Sequence, residues 1–303
     1  MNTLIIITGP TGVGKTAAAI EVAQRLRCDI VNADSRQVFR GISIGTAAPT
    51  AAEQALVRHH LVECRDLDEP YSASQFEHDV MALLPQLWTQ RDVVVMCGGS
   101  MMYIDAVCNG IDPLPDISEH IRRQTLEQLH TCGLGSLLDD LRQLDPDYYA
   151  EVDRQNPRRV VHAVEICRQA RVPYSTLRTG QRRQRPFRIA KIALDIDRDT
   201  LYQRINRRVD AMMDAGLLEE ARRVYPLRHL NALNTVGYKE LFAFFDGDIP
   251  LDEAVRLIKR NARHYAKKQL TWLARDPALP RCRPDEVWRT IDGLISSDEP
   301  PLT

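Results

Sequence analysis

A glycine-rich loop near the start of the sequence carries its clearest chemical signal. Residues Gly9-Pro10-Thr11-Gly12-Val13-Gly14-Lys15-Thr16 match the pattern G-x-x-x-x-G-K-S/T at every fixed position. In such a loop, backbone N–H groups point at phosphate oxygens at the positive end of a helix dipole. Lys15 adds a compact positive charge, and the Thr16 hydroxyl can bind Mg²⁺. The loop predicts a phosphate-binding site and leaves open whether the ligand is ATP, GTP or another phosphorylated compound.

Two further segments carry polar groups that could reach the same ligand. Asp34-Ser35-Arg36-Gln37 follows a short apolar run, and its carboxylate could take a proton or hold magnesium. The same Asp34 could instead cap the next helix. Gly98-Gly99-Ser100 ends another apolar run, where two glycines allow close backbone approach. That segment is either a tight turn or the source of a hydroxyl group, Ser100, beside the ligand.

The elements that must position these groups alternate between strand and helix. Apolar runs at 4–8, 29–32 and 93–97 indicate buried strands, and helical spacing at 16–26 and 74–88 indicates helices between them. This alternation predicts a P-loop NTPase-like parallel α/β sheet flanked by helices, with ligands at the carboxyl ends of the strands.

The pattern changes after about Gly110. Pro113 and Pro115 interrupt the chain, helix-like stretches follow at 120–130, 134–144 and 159–171, and a strand pattern returns at 189–196. We therefore expect a mostly helical insertion domain, residues 113–188, within one catalytic core formed by residues 1–112 and 189–303.

Charge is unevenly distributed although the chain has 40 basic and 41 acidic residues. Residues 154–191 contain eleven Arg or Lys and one acid, and residues 254–275 contain seven and no acid. Such clustering is typical of a polyanion partner, although a solvated basic face would look the same.

Composition argues against a membrane protein or a disulfide-rich one. No apolar run is long enough to cross a bilayer, and the first strand begins too early to leave room for a signal peptide. The seven cysteines lack metal or redox spacing. We expect a cytoplasmic protein with reduced thiols and no membrane partner.

Eight segments in a fixed order resemble the bacterial tRNA dimethylallyltransferases, also called tRNA isopentenyltransferases. The resemblance extends from Leu4 to about Arg275, and the ordered set is far more specific than any single motif. The segments are the loop 9–16, Asp34-Ser35-Arg36-Gln37, Ile44-Gly45-Thr46-Ala47, His60-Leu61, Tyr71-Ser72, Gly98-Gly99-Ser100, Val236-Gly237-Tyr238-Lys239-Glu240-Leu241 and Tyr265-Ala266-Lys267-Lys268-Gln269-Leu270-Thr271-Trp272.

The resemblance implies a changed use of the phosphate loop. In that family the loop holds the diphosphate of dimethylallyl diphosphate with Mg²⁺ as cofactor, and Lys15 and Arg208 would neutralise the leaving diphosphate. Asp34 corresponds to the general base acting on the exocyclic 6-amino group of adenosine 37, beside the anticodon. Ser100 stands where the family usually has a catalytic Thr, and Gln37 would help to read the base.

The resemblance also implies contacts with the anticodon stem-loop of tRNA, by a protein that we expect to be a monomer. The corresponding residues are Asp34, Ser35, Arg36, Gln37, Ser100, Arg122, Arg158, Arg159, Val160, Val161, His162, Asn234, Thr235, Val236, Gly237, Tyr238 and Lys239.

The sequence departs from the family pattern at several positions. Met101-Met102 replaces a residue-plus-Gly pair and would reshape the substrate channel. Ala48 stands where Lys is common and His162 where Arg is common, so each removes a positive charge near the RNA. Lys268 replaces an Arg and keeps its charge.

Two other functions fit part of the sequence. An ATP-dependent kinase for a small metabolite or nucleoside would share the loop, the sheet and Asp34, but it would not explain the basic insertion or the segment 265–272. A nucleotide-gated RNA-binding protein without chemistry would share the loop and the basic segments, and it would not require Asp34.

Overall fold

In the computed structural model, residues 1–112 and 114–296 are described, and they fold into two compact units. The larger unit comprises Met1–Cys108 and the chain from Arg185 onward, and the smaller unit comprises Asn109–Gln184. The junctions lie a few residues before the domain boundaries predicted from the sequence. Pro113, one of the two predicted breaks, lies outside the described residues.

A single parallel sheet forms the centre of the larger unit. Within the described part of the chain its six strands are β1 (Thr3–Thr8), β2 (Ile30–Asn32), β3 (His59–His60), β4 (Val93–Cys97), β5 (Arg188–Leu194) and β6 (Arg281–Cys282). The strand order is β3-β2-β4-β1-β5-β6, and every adjacent pair is parallel. The predicted P-loop NTPase-like parallel core is confirmed.

Helices cover this sheet and form the smaller unit. In chain order, those among the described residues are α1 (Lys15–Leu26), α2 (Ser43–Thr46), α3 (Ala51–Leu56), α4 (Ala73–Trp88), α5 (Met101–Asn109), α6 (Glu119–Leu144), α7 (Pro146–Glu151), α8 (Pro157–Ala170), α9 (Tyr174–Leu177), α10 (Arg198–Asp214), α11 (Leu217–Val224), α12 (Tyr238–Phe245), α13 (Leu251–Leu273) and α14 (Val287–Ser296). Short 3₁₀ turns occur at Tyr225–Leu227, Asn231–Leu233 and Pro284–Glu286.

Strand β1 is buried on both faces of the sheet, as its unbroken apolar sequence predicts. Ile5 and Ile7 pack into the cluster that contains α1, whereas Leu4 and Ile6 pack into the opposite cluster with α4 and α5. All four side chains are fully buried. The phosphate loop therefore begins at the most firmly packed strand of the core.

The smaller unit is helical and has its own apolar core. Helix α6 is interrupted at Gly133, whose φ of 76° lies in the left-handed region, so the predicted helices at 120–130 and 134–144 form its two parts. Leu137 and Leu141 pack against Val160 and Val164 of α8. Apolar side chains of both helices thus hold this unit together.

All seven cysteines are free thiols: four are buried, Cys64 and Cys108 are partly buried, and Cys132 is exposed. Among the described residues, no helix combines the length and the apolar character needed to cross a bilayer.

Replacement of Gly98 by Ala tests the packing at the end of β4. An added Cβ would lie 2.1 Å from the Ala33 carbonyl oxygen, so Gly98→Ala should destabilise the larger unit by roughly 1–3 kcal/mol. The control is Gly293→Ala in α14, where an added Cβ meets no atom within 4 Å. That change should be neutral or stabilising by up to about 1 kcal/mol.

Urea unfolding followed by tryptophan fluorescence measures both variants, since Trp88, Trp272 and Trp288 all belong to the larger unit. Equal unfolding midpoints for the two variants would contradict the close approach of Gly98 to Ala33.

Candidate active site

The carboxyl ends of β1, β2 and β4 bring the predicted segments to one edge of the sheet. The phosphate loop follows β1, Asp34 follows β2, and Gly98-Gly99-Ser100 follows β4, which lies between the other two strands. The Gly98 N–H donates to the Ile7 carbonyl at 3.3 Å, and the Ser100 N–H donates to the Ala33 carbonyl at 3.2 Å. These bonds hold the three segments next to one another.

The phosphate loop has the conformation that its glycines predict. Gly12 and Gly14 have φ values of 84° and 106°, and Gly14 is the N-cap of α1. A Cβ at Gly12 would lie 2.8 Å from Ile205 Cγ1, so a larger residue fits neither the backbone nor the space. The loop ends at the positive end of the α1 dipole, where an anion is stabilised.

Lys15 is held inside this loop as a buried cation. Its Nζ donates to the Gly9 carbonyl at 3.0 Å and to the Pro10 carbonyl at 2.9 Å. The pKa of Lys15 is lowered from 10.5 to about 8, mainly by burial and in smaller part by the positive charge of Arg208, while Cys97 and Asp34 act in the opposite direction. An anion at this position would favour the charged form of the lysine.

Helix α10 adds two arginines to the same loop. Arg208 Nη2 donates to Thr11 Oγ1 at 2.5 Å, and Arg204 Nη1 donates to the Val13 carbonyl at 3.1 Å. Burial lowers the pKa of Arg208, and the nearby Asp34 charge partly opposes this. Its buried Nε has no hydrogen-bond partner among the described residues, so it is available to an oxygen of a bound phosphate. Arg204 was not predicted, although its i, i+4 spacing from Arg208 places both on one helix face.

The residues present fit a magnesium ion that binds together with a diphosphate. Thr16 is in the first turn of α1, and its hydroxyl is the predicted protein ligand. Across residues 1–112 and 114–296, no group of three or more His, Cys, Asp or Glu side chains is placed to hold a metal. Mg²⁺ usually binds through few protein oxygens, with phosphate oxygens and water completing its octahedron.

Asp34 caps its own turn. Its Oδ1 accepts hydrogen bonds from the Arg36 N–H at 2.9 Å and the Gln37 N–H at 3.4 Å. The capping role considered for this residue is therefore present. For its other oxygen, Oδ2, the described part of the chain offers no hydrogen-bond partner. One carboxylate can thus hold the turn through Oδ1 and still offer Oδ2 to a substrate.

Ser100 joins the Asp34 turn to the end of β4. The Ser35 N–H donates to Ser100 Oγ at 2.8 Å, and Ser100 Oγ donates to Ser35 Oγ at 3.2 Å. Tyr265 of α13 lies beside this pair. Burial and the negative charge of Asp34 raise the pKa of Tyr265 to about 12, and a hydrogen bond with Ser100 acts in the opposite direction. A hydroxyl, a phenol and a carboxylate therefore lie together at the edge of the phosphate site.

Gln269 is a site residue whose role the sequence did not reveal. Its buried side chain accepts from the Thr11 N–H at 2.8 Å through Oε1 and donates to the Gly99 carbonyl at 2.8 Å through Nε2. The bridge joins the phosphate loop to the end of β4. The motif 265–272 contained this glutamine, but its partners are too distant in sequence for a pattern to indicate them.

Arg36 and Gln37 tie the Asp34 turn to neighbouring loops. Gln37 Nε2 donates to the carbonyls of Thr46 and Ala47 at 3.0 and 2.9 Å. Arg36 Nη1 donates to two carbonyls of the 3₁₀ turn Asn231–Leu233, the shorter at 2.8 Å. The residues predicted to contact RNA are thus part of a connected surface, and their contacts with RNA stay predictions.

The predicted stretch 234–239 divides into exposed and buried residues. Lys239 is exposed, and Asn234, Thr235 and Val236 are partly exposed. Gly237 and Tyr238 are buried. Lys239 can therefore meet a polyanion directly, whereas the buried side chain of Tyr238 cannot.

The smaller unit carries its predicted residues on α6 and at the start of α8. Arg122, Arg158, Arg159 and His162 are exposed, Val161 is partly exposed, and Val160 is fully buried in the core of this unit. Although His162 reaches solvent, partial desolvation by its neighbours and the nearby Arg122 charge lower its pKa. It is therefore less cationic than the Arg that the family pattern has there. The side chain of Val160 supports the surface and does not line it.

Comparison with known proteins supports the resemblance. The sequence model of a family described as IPP transferase matches residues 37–276. The chain is 55% identical over 287 residues to tRNA dimethylallyltransferase 2 of Parabacteroides distasonis, covering 95% of this chain and 96% of the relative. It is 51% identical over 295 residues to tRNA dimethylallyltransferase 1 of Phocaeicola vulgatus, covering 97% and 98%.

Solved structures show the same fold. The full-length tRNA isopentenylpyrophosphate transferase of Bacillus halodurans superposes with a TM-score of 0.71 at 33% identity, covering 97% of this chain and 96% of that one. A eukaryotic dimethylallyltransferase acting on tRNA superposes with a TM-score of 0.76 at 24% identity, covering 90% and 70%.

The lowered pKa of Lys15 predicts how diphosphate binding depends on pH. In the free protein Lys15 loses its proton as the pH rises through about 8, whereas an anionic ligand binds best to the charged lysine. Affinity for an alkyl diphosphate should be full below pH 8 and should fall above it by up to about tenfold per pH unit. Isothermal titration between pH 7 and 10 measures the profile.

Lys15→Arg is the matched variant, since a guanidinium stays protonated over this range. Its affinity should be nearly independent of pH. Parallel profiles for the wild type and Lys15→Arg would exclude Lys15 as the titrating group.

Proposed function

Because this chain belongs to the IPP transferase family, we propose that it transfers a dimethylallyl group from dimethylallyl diphosphate to adenosine 37 of tRNA. The bond forms at the exocyclic 6-amino group, and diphosphate leaves. The observation that carries the proposal is that the Asp34 turn and the phosphate loop lie together at the carboxyl edge of the sheet, both hydrogen-bonded to the end of β4. The Asp34 charge there partly offsets the lowering of the pKa of Lys15 and Arg208 by burial. A candidate base therefore adjoins a cationic phosphate site.

The diphosphate would occupy the phosphate loop. Lys15, the loop N–H groups and the unpartnered Nε of Arg208 all favour negative charge there. Charge accumulates on the leaving diphosphate as the allylic carbon–oxygen bond breaks, and such fixed cationic groups stabilise it most strongly in a dry site. Magnesium, bound through the phosphate oxygens and the Thr16 hydroxyl, would supply further positive charge.

Asp34 would act on the acceptor. The lone pair of an adenine 6-amino group is delocalised into the ring, so removal of a proton as the nitrogen attacks lowers the barrier. Oδ2 would take that proton while Oδ1 keeps its bonds to the turn. The base must leave its stack to reach this crevice, as target bases do in other enzymes that modify nucleobases. Ser100 would orient the incoming amine beside Asp34.

Two basic surfaces would hold the tRNA by its phosphates, with release of counterions. One is the start of α8 in the smaller unit. The other is a cavity of about 540 Å³ in the larger unit, lined by Met101, His264, Lys267, Lys268, Thr271, Trp272 and Arg275. Its combination of cations with an indole suits a nucleotide, which offers both a phosphate and a base. We expect the protein to do this as a cytoplasmic monomer.

The direct test of this function supplies the purified protein with magnesium, radiolabelled dimethylallyl diphosphate and unmodified tRNA. The wild type should release diphosphate and yield N6-dimethylallyl adenosine, detected by mass analysis of nucleosides. Asp34→Asn keeps an acceptor for the turn but cannot take a proton, so kcat should fall by about 10²–10⁴-fold with tRNA still bound. The control is Asp66→Asn, an exposed acid paired with Arg40.

Three outcomes would count against the proposal. Full activity of Asp34→Asn would remove the general base. Saturable, Lys15-dependent transfer of phosphate from ATP to a small acceptor would favour a kinase. Binding of tRNA with no release of diphosphate by the wild type would favour a binding protein without chemistry.

Contacts between α8 and RNA phosphates predict a salt effect. Arg158→Ala or Arg159→Ala should weaken tRNA binding and lower the slope of log K against log salt by about one, because one phosphate contact is lost. Affinity for dimethylallyl diphosphate should not change. Arg142→Ala, an exposed arginine of the same unit outside the predicted contacts, is the control. A salt slope equal to that of the wild type would refute the phosphate contact.

A further inference from the structure

A buried carboxylate outside the reaction site holds one of the loops that the sequence motifs include. Glu220 of α11 is only 1% exposed. Its Oε2 accepts from the Ile44 N–H at 2.9 Å, and its Oε1 accepts from the Gly45 N–H at 2.8 Å and from the Tyr238 hydroxyl at 2.6 Å. Three donors thus satisfy a charge whose burial would otherwise be costly.

The segment that Glu220 holds is the short helix α2, and the Tyr238 hydroxyl contacts the same segment. The Tyr238 hydroxyl lies where a Cβ at Gly45 would be, at 2.5 Å, so Gly45 can be no larger. The same hydroxyl lies 3.2 Å from the Ile42 carbonyl. Burial and the negative charge of Glu220 raise the pKa of Tyr238, which keeps the phenol protonated and able to donate. Helix α2 therefore has one position relative to α11 and α12.

The other end of α2 holds Gln37. The carbonyls of Thr46 and Ala47 accept from the two hydrogens of Gln37 Nε2 at 3.0 and 2.9 Å. These bonds fix the plane of the carboxamide and leave its Oε1 without a partner among the described residues. Gln37 follows Asp34 by three residues in the same turn. The direction in which its oxygen points thus depends on where Glu220 places α2.

We propose that Glu220, with Tyr238, is a positioning residue that orients Gln37 for recognition of the target adenine. The inference rests on the proposed function, and it gives Tyr238 a role from inside the protein. A carboxylate suits this role because it accepts from adjacent N–H groups with both oxygens. The substitution Glu220→Gln would leave one accepting oxygen and turn an amino group toward an N–H donor, which would displace α2.

The test is a double-mutant cycle between Glu220 and Gln37, measured as kcat/KM for an unmodified anticodon stem-loop. Glu220→Gln alone should lower kcat/KM by roughly 10- to 100-fold, mainly through KM for the RNA. In a Gln37→Ala background the same change should lower it by less than about threefold, because the group that Glu220 orients is gone. The Kd for dimethylallyl diphosphate should stay that of the wild type.

Glu219→Gln is the matched control, since Glu219 is exposed on the same helix and its replacement removes the same charge. It should leave every parameter unchanged. Equal factors for Glu220→Gln in the two backgrounds would show that Glu220 does not act through Gln37 and would overturn the inference. If the proposed function is wrong, the wild type itself will show no transfer. If only this inference is wrong, the wild type will be active and Glu220→Gln will have the same effect in both backgrounds.

Tyr238→Phe keeps the proposal testable if Glu220→Gln does not fold. This variant removes one hydroxyl and leaves the ring in place, so α2 loses one anchor instead of three. Tyr238→Phe should also lower kcat/KM, by a smaller factor than Glu220→Gln does, and again only when Gln37 is present. The same effect with and without Gln37 would overturn the inference as well.

Discussion

The burial of positive charge behind the phosphate loop is the constraint on which the rest of this site depends. Lys15, Arg204 and Arg208 converge on a few loop residues, and their hydrogen bonds go to carbonyl or hydroxyl oxygens. Asp34 is the acid whose charge acts on Lys15 and Arg208. Holding Lys15 and Arg208 there is costly without an anion, because desolvation lowers the pKa of both. Arg204 is exposed and does not bear this cost. In the proposed function the diphosphate would supply the negative charge that offsets this cost.

The sequence predicted the parts of this arrangement that are local. The phosphate loop, β1 and the Asp34 turn each lie within a few consecutive residues, and a pattern of residue types is enough to indicate them. Strands β3 and β6 have two residues each, too few to produce a recognisable pattern. The predicted strand at 189–196 ends at Leu194 as β5, where its pairing with the two-residue strand β6 ends.

Long-range contacts were the part that the sequence could not supply. Gln269 and Thr11 lie 258 positions apart, and Glu220 and Ile44 lie 176 apart. Helical spacing places Glu220 with Leu217, Ala221 and Val224 on the apolar face of α11, and Glu219 on the polar face. The local pattern can therefore indicate that Glu220 is buried, but it cannot indicate which N–H and O–H groups the carboxylate accepts from. The family motif includes Tyr238, but only the structure shows that its hydroxyl faces a buried carboxylate.

Helix α13 contacts both the phosphate loop and the Asp34–Ser100 pair, and it can hold these two parts of the site at a fixed separation. Gln269 bonds the phosphate loop and the end of β4, whereas Tyr265 lies beside Ser100 and Asp34. Residues four apart lie on one face of a helix, about one turn or 5.4 Å along its axis. The phosphate loop and the Asp34 turn, the proposed donor and acceptor sides of the crevice, are therefore attached to the same rigid element. In a transfer reaction the attacking nitrogen must approach the allylic carbon from the side opposite the leaving diphosphate, and misplacement by a fraction of that turn would lose much of the rate. In the proposed reaction, a single helix that contacts the phosphate loop and the Asp34–Ser100 pair would keep the distance between them constant while the two substrates bind.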